Sequence, residues 1–326
     1  MAVIKIHERD NVAVVIDKVS KGEVVKVGSC SVIALDDIDQ GHKIALYDIE
    51  QGENVIKYGF PIGHATTHIK AGQWVHSHNL KTNLGELTEY EYTPRLSDVK
   101  VAEECGTFRG FIREGDKVGI RNEIWIIPTV SCVNRNAELI AKISKERFKG
   151  VKNLDGIYEL THPYGCSQLG QDQLNTQKIL ANLVNHPNAG GVLVLGLGCE
   201  NNNVDEFKKV LGKYNSDRVK FLVAQEVEDE IEAGVGLIEE LVEYVSQFER
   251  QDCPVSKLVV GLKCGGSDGF SGITANPLVG SFSDKLISCG GSTVLTEVPE
   301  MFGAETILMN RAISREVFDK IVKMIN

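Results

Sequence analysis

The sequence predicts an α/β protein: a small N-terminal antiparallel β domain, then a mainly parallel sheet with helices on both faces. Two observations carry this. Residues 1–92 hold short alternating apolar runs divided by Gly/Asp/Lys turns at intervals of roughly ten residues, the texture of a small antiparallel β domain. From 108 onward, strand-like runs alternate with helical periodicity, which implies a parallel sheet covered by helices.

The elements follow in order. In the β domain the runs are Val12–Ile16, Val24–Val27, Lys43–Leu46 and Asn54–Lys57. Residues 93–107 mix turn residues and charges and read as a linker. The part over 108–326 opens with a buried-type run, Ile124–Ile127, and a helical pattern over 136–144. Gly156–Leu160, a helix over 173–184, Val192–Leu195 and Lys220–Ala224 continue the alternation. The strongest helical pattern covers 227–248. Leu258–Leu262, Thr293–Thr296 and helices near 304–311 and 314–325 complete the chain. Asn326 falls within a helical pattern with no C-cap glycine, so the chain is expected to be cut short before a further C-terminal domain.

At 326 residues, two or three domains are expected, and 42% hydrophobic with 25% charged residues can fill their cores. A net charge of -10 without a Lys/Arg run argues against nucleic acid as a partner. No apolar stretch approaches the roughly 18 residues of a membrane span, and the N-terminus has no signal-peptide core. The eight cysteines show no compact spacing, which points to reduced thiols in a cytoplasmic protein.

Four apolar runs empty into polar loops that carry Cys132, Cys166, Cys199 and Cys264. In a parallel sheet such loops border the crevice where ligands bind, so four distant thiols could converge there. Thiolates select soft metals: three can hold an iron–sulfur cluster with an open iron, and fewer can hold Fe²⁺ with histidine or carboxylate. Cys30, Cys105, Cys253 and Cys289 lack such loops and read as structural. His76 and His78, at i and i+2 in a strand, would share a face, with Asn79 beside them. His162 is a further ligand or acid/base candidate, and Arg121-Asn122 could grip a carboxylate. The glycine-rich loop 265–272 offers Ser267 and Asp268 to a carboxylate or polyol. The pair Glu297 and Glu300 could supply a base or a metal carboxylate, or be solvated loop charges. Gly196-Leu-Gly198 lacks the third glycine of a dinucleotide fingerprint, since position 201 is Asn.

His76-Ser-His-Asn-Leu-Lys-Thr-Asn83, Arg121-Asn-Glu-Ile-Trp125, His162-Pro-Tyr-Gly-Cys-Ser-Gln-Leu-Gly170 and Gly196-Leu-Gly-Cys-Glu-Asn-Asn202 occur in that order. The segments Cys264–Pro277 and Glu297–Glu305 complete the set. Together they resemble the altronate/galactarate dehydratase family over essentially the whole chain. The resemblance implies an N-terminal β-clip domain of the SAF type over 1–92, then an α/β catalytic part. It also implies a hydro-lyase that dehydrates D-altronate to 2-keto-3-deoxy-D-gluconate in hexuronate catabolism, dependent on Fe²⁺, with Mn²⁺ as an alternative; the thiol-bearing loops keep an iron–sulfur cluster open beside it. Galactarate dehydratase and sulfolactate sulfo-lyase are relatives with other substrates, and a non-catalytic sugar-acid-binding fragment is the contrasting reading. For such a reaction the candidate metal ligands are Cys132, Cys166, Cys199 and Cys264. His76, His78 and His162 are the acid/base candidates; Asn79, Arg121, Asn122, Ser267 and Asp268 are the substrate contacts. The partner expected is a small sugar acid, with neither nucleic acid nor membrane, and a β domain on a short linker could swap between copies of a homo-oligomer.

Overall fold

The computed structural model describes residues 2–83, 89–96 and 100–326. The chain divides into two compact units, Met1–Glu103 with Val259–Asn326, and Glu104–Leu258. The α/β part expected over 108–326 is thus divided between them at Leu258.

In the first unit, Val3–Ile4, Val12–Val15, Lys43–Ala45 and Trp74–Val75 form an antiparallel sheet in that order. All four residues of Val12–Val15 are buried, because Ala13 and Val15 face one core cluster and Val12 faces another. Two hairpins flank this sheet: Val24–Val27 with Cys30–Ile33, and Asn54–Lys57 with Phe60–Ala65. The second turns through Tyr58 and Gly59, both at positive φ, as a two-residue hairpin requires. Residues 84–88 of the expected β domain and 97–99 of the expected linker lie outside the described residues.

The rest of this unit is a parallel pair, Val259–Leu262 with Ser292–Leu295, joined through helix Ala275–Ser288. Helices Glu305–Met309 and Arg315–Ile325 follow. Tyr90 and Tyr92 pack against the Met309, Ala312, Phe318 cluster, and the Tyr92 hydroxyl donates to the Ala312 carbonyl at 2.7 Å. The stretch read as a linker is bonded from its first residue, since the Thr93 N–H donates to Asn310 Oδ1 at 3.0 Å.

The second unit is doubly wound, as expected. Strands Gly156–Glu159, Glu123–Pro128, Ala189–Gly196 and Val219–Val223 lie in that order, all parallel. Ile124, Ile126, Leu193 and Leu195 face helices Asn134–Arg147 and Glu230–Val245. Ile127, Val192 and Val194 face helices Gly170–Val184 and Val204–Leu211. Burial on both faces is why these strands read as continuous apolar runs. An antiparallel pair, Thr107–Arg113 with Gln251–Pro254, brings the ends of the unit together, so the expected linker already becomes strand at Thr107. Among the described residues no helix is long and apolar enough to cross a membrane.

Candidate functional site

In the Glu104–Leu258 unit the chain leaves strand Glu123–Pro128 to one side and returns to strand Ala189–Gly196 on the other. Their carboxyl ends therefore flank a topological switch point, where α/β sheets bind ligands. The loops there carry Cys132, Cys166 and Cys199, all exposed. The loops are tied together: the Ser131 N–H donates to the Tyr164 carbonyl at 2.8 Å, and the Asn201 N–H to the Cys166 carbonyl at 3.0 Å. Gln225 Nε2 lies 3.9 Å from Cys199 Sγ.

Sequence reasoning missed the group that holds this region. Glu200 is buried, and its carboxylate accepts from Thr129 Oγ1 at 2.7 Å and from the Leu197 and Gly198 N–H groups at 3.0 and 2.6 Å. Gly198, at φ +128°, takes a conformation closed to other residues, and a Cβ there would lie 2.8 Å from Gln225 Oε1. The Gly196-Leu-Gly198 pair thus makes the turn that presents Cys199. Two acceptors among these loops, Asn134 Oδ1 and Asn202 Oδ1, are buried without a hydrogen-bond partner among the described residues.

Three further expected site residues, His162, Arg121 and Asn122, lie in this unit. His162 uses both ring nitrogens: Nε2 lies 3.0 Å from the Pro128 carbonyl, and Nδ1 accepts the Tyr164 N–H at 3.2 Å. Both ring nitrogens of His162 are thus engaged with the backbone that braces the Cys166 loop. Asn122 is fully buried, donating to the Asn153 and Val245 carbonyls and accepting from Arg113 Nη2 at 2.8 Å. Arg121 and Asn122 precede strand Glu123–Pro128, whereas Cys132 follows it. Six strand residues span about 20 Å. The pair therefore stands at the sheet's amino edge, at the opposite end from the loops that carry Cys132 and Cys199.

In the other unit, His76 and His78 lie in the turn after strand Trp74–Val75, not within a strand. They gather instead around Trp74, whose ring centroid is 5.2 Å from His76 and 5.1 Å from His78. A third imidazole that sequence reasoning missed, His42, lies 5.2 Å from His76 and accepts Trp74 Nε1–H on Nδ1 at 3.0 Å. Thirty-odd residues separate it from His76, and only the pairing of Lys43 with Val75 brings them together. Burial first, then the positive charge of Lys43 and the neighbouring imidazoles, holds His76 below the ordinary imidazole value. Asn79 is buried and clamps the turn, accepting the His76 N–H at 3.0 Å and donating to the Trp74 carbonyl at 2.9 Å. It holds the turn that carries the two histidines.

The glycine-rich loop seats on the same β domain. A Cβ on Gly269 would lie 2.7 Å from Gly41 Cα, and one on Gly272 would collide with the Tyr58 hydroxyl. Within the loop, Ser267 Oγ contacts Cys264 Sγ, while Asp268 Oδ1 accepts the Phe270 N–H at 2.7 Å. Beside it a cavity of about 460 Å³ is lined by Lys263, Cys264, Glu297, Glu300 and Arg311 among others. Glu297 sits at φ +61°, ψ +55°, and its carboxylate accepts the Cys264 N–H at 2.9 Å. Non-glycine residues in this region store strain of about 1–3 kcal/mol and cluster at functional sites.

Six cysteines are free thiols, but Cys105 and Cys289 are disulfide-bonded, against the expectation of thiols throughout. Thiols on the bonded loops suit a soft metal by donor chemistry. Among the described residues, however, no three His, Cys, Asp or Glu side chains stand together so as to hold a metal ion.

Three family models match the chain in succession. Residues 1–83 match the altronate/galactarate dehydratase SAF domain, and 110–246 the second domain of D-galactarate dehydratase/altronate hydrolase. Residues 255–326 match the D-galactarate/altronate dehydratase C-terminal model. The chain is 54% identical over 323 residues to an altronate dehydratase of Bacillus subtilis (strain 168), covering 99% of this chain and 65% of that one. It is 48% identical over 326 residues to an altronate dehydratase of Escherichia coli (strain K12), covering 100% and 66%. To a galactarate dehydratase (L-threo-forming) of Escherichia coli (strain K12) it is 31% identical, covering 98% and 64%. The chain thus spans slightly under two thirds of the length of these relatives. With an SAF β domain, a doubly wound unit and a C-terminal segment each matched in order, the chain belongs to the altronate/galactarate dehydratase family.

Proposed function

We propose that the protein carrying this chain is a hydro-lyase that dehydrates D-altronate to 2-keto-3-deoxy-D-gluconate. The observation that carries the substrate choice is the 54% and 48% identity to two proteins named altronate dehydratase, against 31% to a galactarate dehydratase. A cytoplasmic, metabolic setting belongs to this reading, and a homo-oligomer is compatible with it.

The chemical problem is a weakly acidic proton beside a carboxylate, so a base and charge stabilisation are both needed. His76 is kept neutral near pH 7 by its surroundings and is the candidate to take the C2 proton. His78 is the candidate to protonate the C3 hydroxyl as it leaves. The products are water and an enol, which tautomerises to the 2-keto acid, so atoms balance without a co-reactant. Lys263 and Arg311, on the cavity of about 460 Å³, are the cations offered to the carboxylate. Ser267 and Asp268, on the exposed loop beside it, are offered to the hydroxyls. A six-carbon acid suits a cavity of this size.

Iron is the expected cofactor, as Fe²⁺ or a cluster, with Mn²⁺ as substitute; when bound it would stabilise charge developing on the carboxylate. Cys132, Cys166, Cys199 and Cys264 are the thiols proposed as its donors. Since the described side chains assemble no three-donor set, no step above depends on the metal.

The test is anaerobic turnover by the full-length protein reconstituted with Fe²⁺ and offered D-altronate and galactarate separately, with 2-keto acid as readout. Product from altronate alone is expected. Product from galactarate alone, or from neither with iron bound, overturns the reading.

A further inference from the structure

The amino ends of the parallel strands border a second cavity, of about 650 Å³, in the Glu104–Leu258 unit. Arg113, Lys117, Lys213 and Arg218 line it against the single lining carboxylate of Glu114. In a chain of net charge -10 this reverses the local field.

Both arginines are half-buried and held by backbone carbonyls and, for Arg113, by the Asn122 side chain. Arg113 Nε donates to the Pro187 carbonyl at 2.9 Å and Nη2 to Asn122 Oδ1 at 2.8 Å. Arg218 Nη2 donates to the Val184 and Ala189 carbonyls, each at 2.8 Å. These bonds orient each fork through Nε and Nη2. They leave both Nη1 groups without a hydrogen-bond partner among the described residues. The charges repel one another: burial, then Arg218, lowers Arg113 to about 10. Burial also lowers His186 nearby, with Lys117 and Arg218 acting against Glu123. Tyr244 and Phe248 add an aromatic wall.

A single carboxylate would leave most of this charge unmatched, whereas a dianionic phosphate can accept from the two open Nη1 groups and an ammonium group together. We propose that this cavity binds a phosphate monoester of sugar size, its phosphate among Arg113, Arg218 and Lys213 and its body against Tyr244 and Phe248. The site lies at the opposite end of the sheet from the thiol loops, so its ligand is an effector and not the substrate. The inference does not rest on the proposed dehydration.

Calorimetric titration of the full-length protein with ribose 5-phosphate, inorganic phosphate and ribose tests it. Saturable binding of ribose 5-phosphate is expected, tighter than inorganic phosphate, with ribose silent. Lys213→Glu, and Lys117→Glu as a second variant, change exposed side chains and should each weaken binding at least about tenfold. No saturable binding at millimolar concentration, equal affinity for phosphate and the ester, or unchanged binding by both folded variants overturns the proposal.

Discussion

The backbones of Gly41 and Gly269 meet directly: a Cβ on Gly269 would lie 2.7 Å from Gly41 Cα and 3.0 Å from its carbonyl oxygen. This contact seats the loop bearing Cys264, Ser267 and Asp268 on the turn that leads into His42. Gly269→Ala should lift the loop from the β domain, because backbone cannot move aside as a flexible side chain does. Overpacking of this kind costs about 1–3 kcal/mol. The variant is expected to lose at least tenfold in turnover while its circular dichroism stays unchanged.

Glu200 should prove structural in stability and functional in effect. Its replacement by Ala strips a buried acceptor from Thr129 and from the Leu197 and Gly198 N–H groups. Buried donors left unpaired cost about 1–3 kcal/mol. Urea denaturation is expected to show a loss of that order, with Glu200→Gln intermediate.

The imidazoles set a pH dependence. His76 and His186 are both depressed, chiefly by burial, so the folded chain takes up their protons less readily than the unfolded one. Their contribution to stability is full above the ordinary value of 6.5 and is lost as pH falls below it through the depressed values. Turnover should likewise fall on the acid side, with the limb below pH 6.5 assigned to His76 by its absence in residual His76→Gln activity. Trp74→Phe, which removes the indole donor to His42, should shift that limb while the protein remains folded.

Iron content offers a separate check. Cys132→Ser, Cys166→Ser and Cys199→Ser alter exposed side chains and should fold normally. Each is expected to lower bound iron per chain to less than half under anaerobic reconstitution. Cys253, buried in strand Gln251–Pro254, serves as control and should leave iron content unchanged when replaced by Ala.

Much of the architecture was legible in the order of residues. Ile124–Ile127 and Val192–Leu195 are apolar on both faces, and such runs have no stable place except a sheet covered twice. The short runs of the β domain, punctuated by glycine, read as short antiparallel strands, and they pair both as hairpins and across some thirty residues. Cysteines after successive strands were placed correctly at the carboxyl ends of Glu123–Pro128, Gly156–Glu159 and Ala189–Gly196, because strand polarity is fixed once the sheet is parallel.

What tertiary structure decided is which polar side chains are free. Asn79, Asn122 and His162 carry the residue types of a binding site, yet Asn79 and His162 bond to backbone groups, and Asn122 to two carbonyls and the Arg113 guanidinium. His42 joins His76 and Trp74 only through strand pairing across thirty-odd residues. Gly41 and Gly269 meet at a distance no local pattern encodes. Periodicity reports how much of a segment is buried and on which face, since that depends on neighbours a few residues away. Hydrogen-bond partners and close backbone approaches are set by residues distant in the chain, and the folded structure alone supplies them.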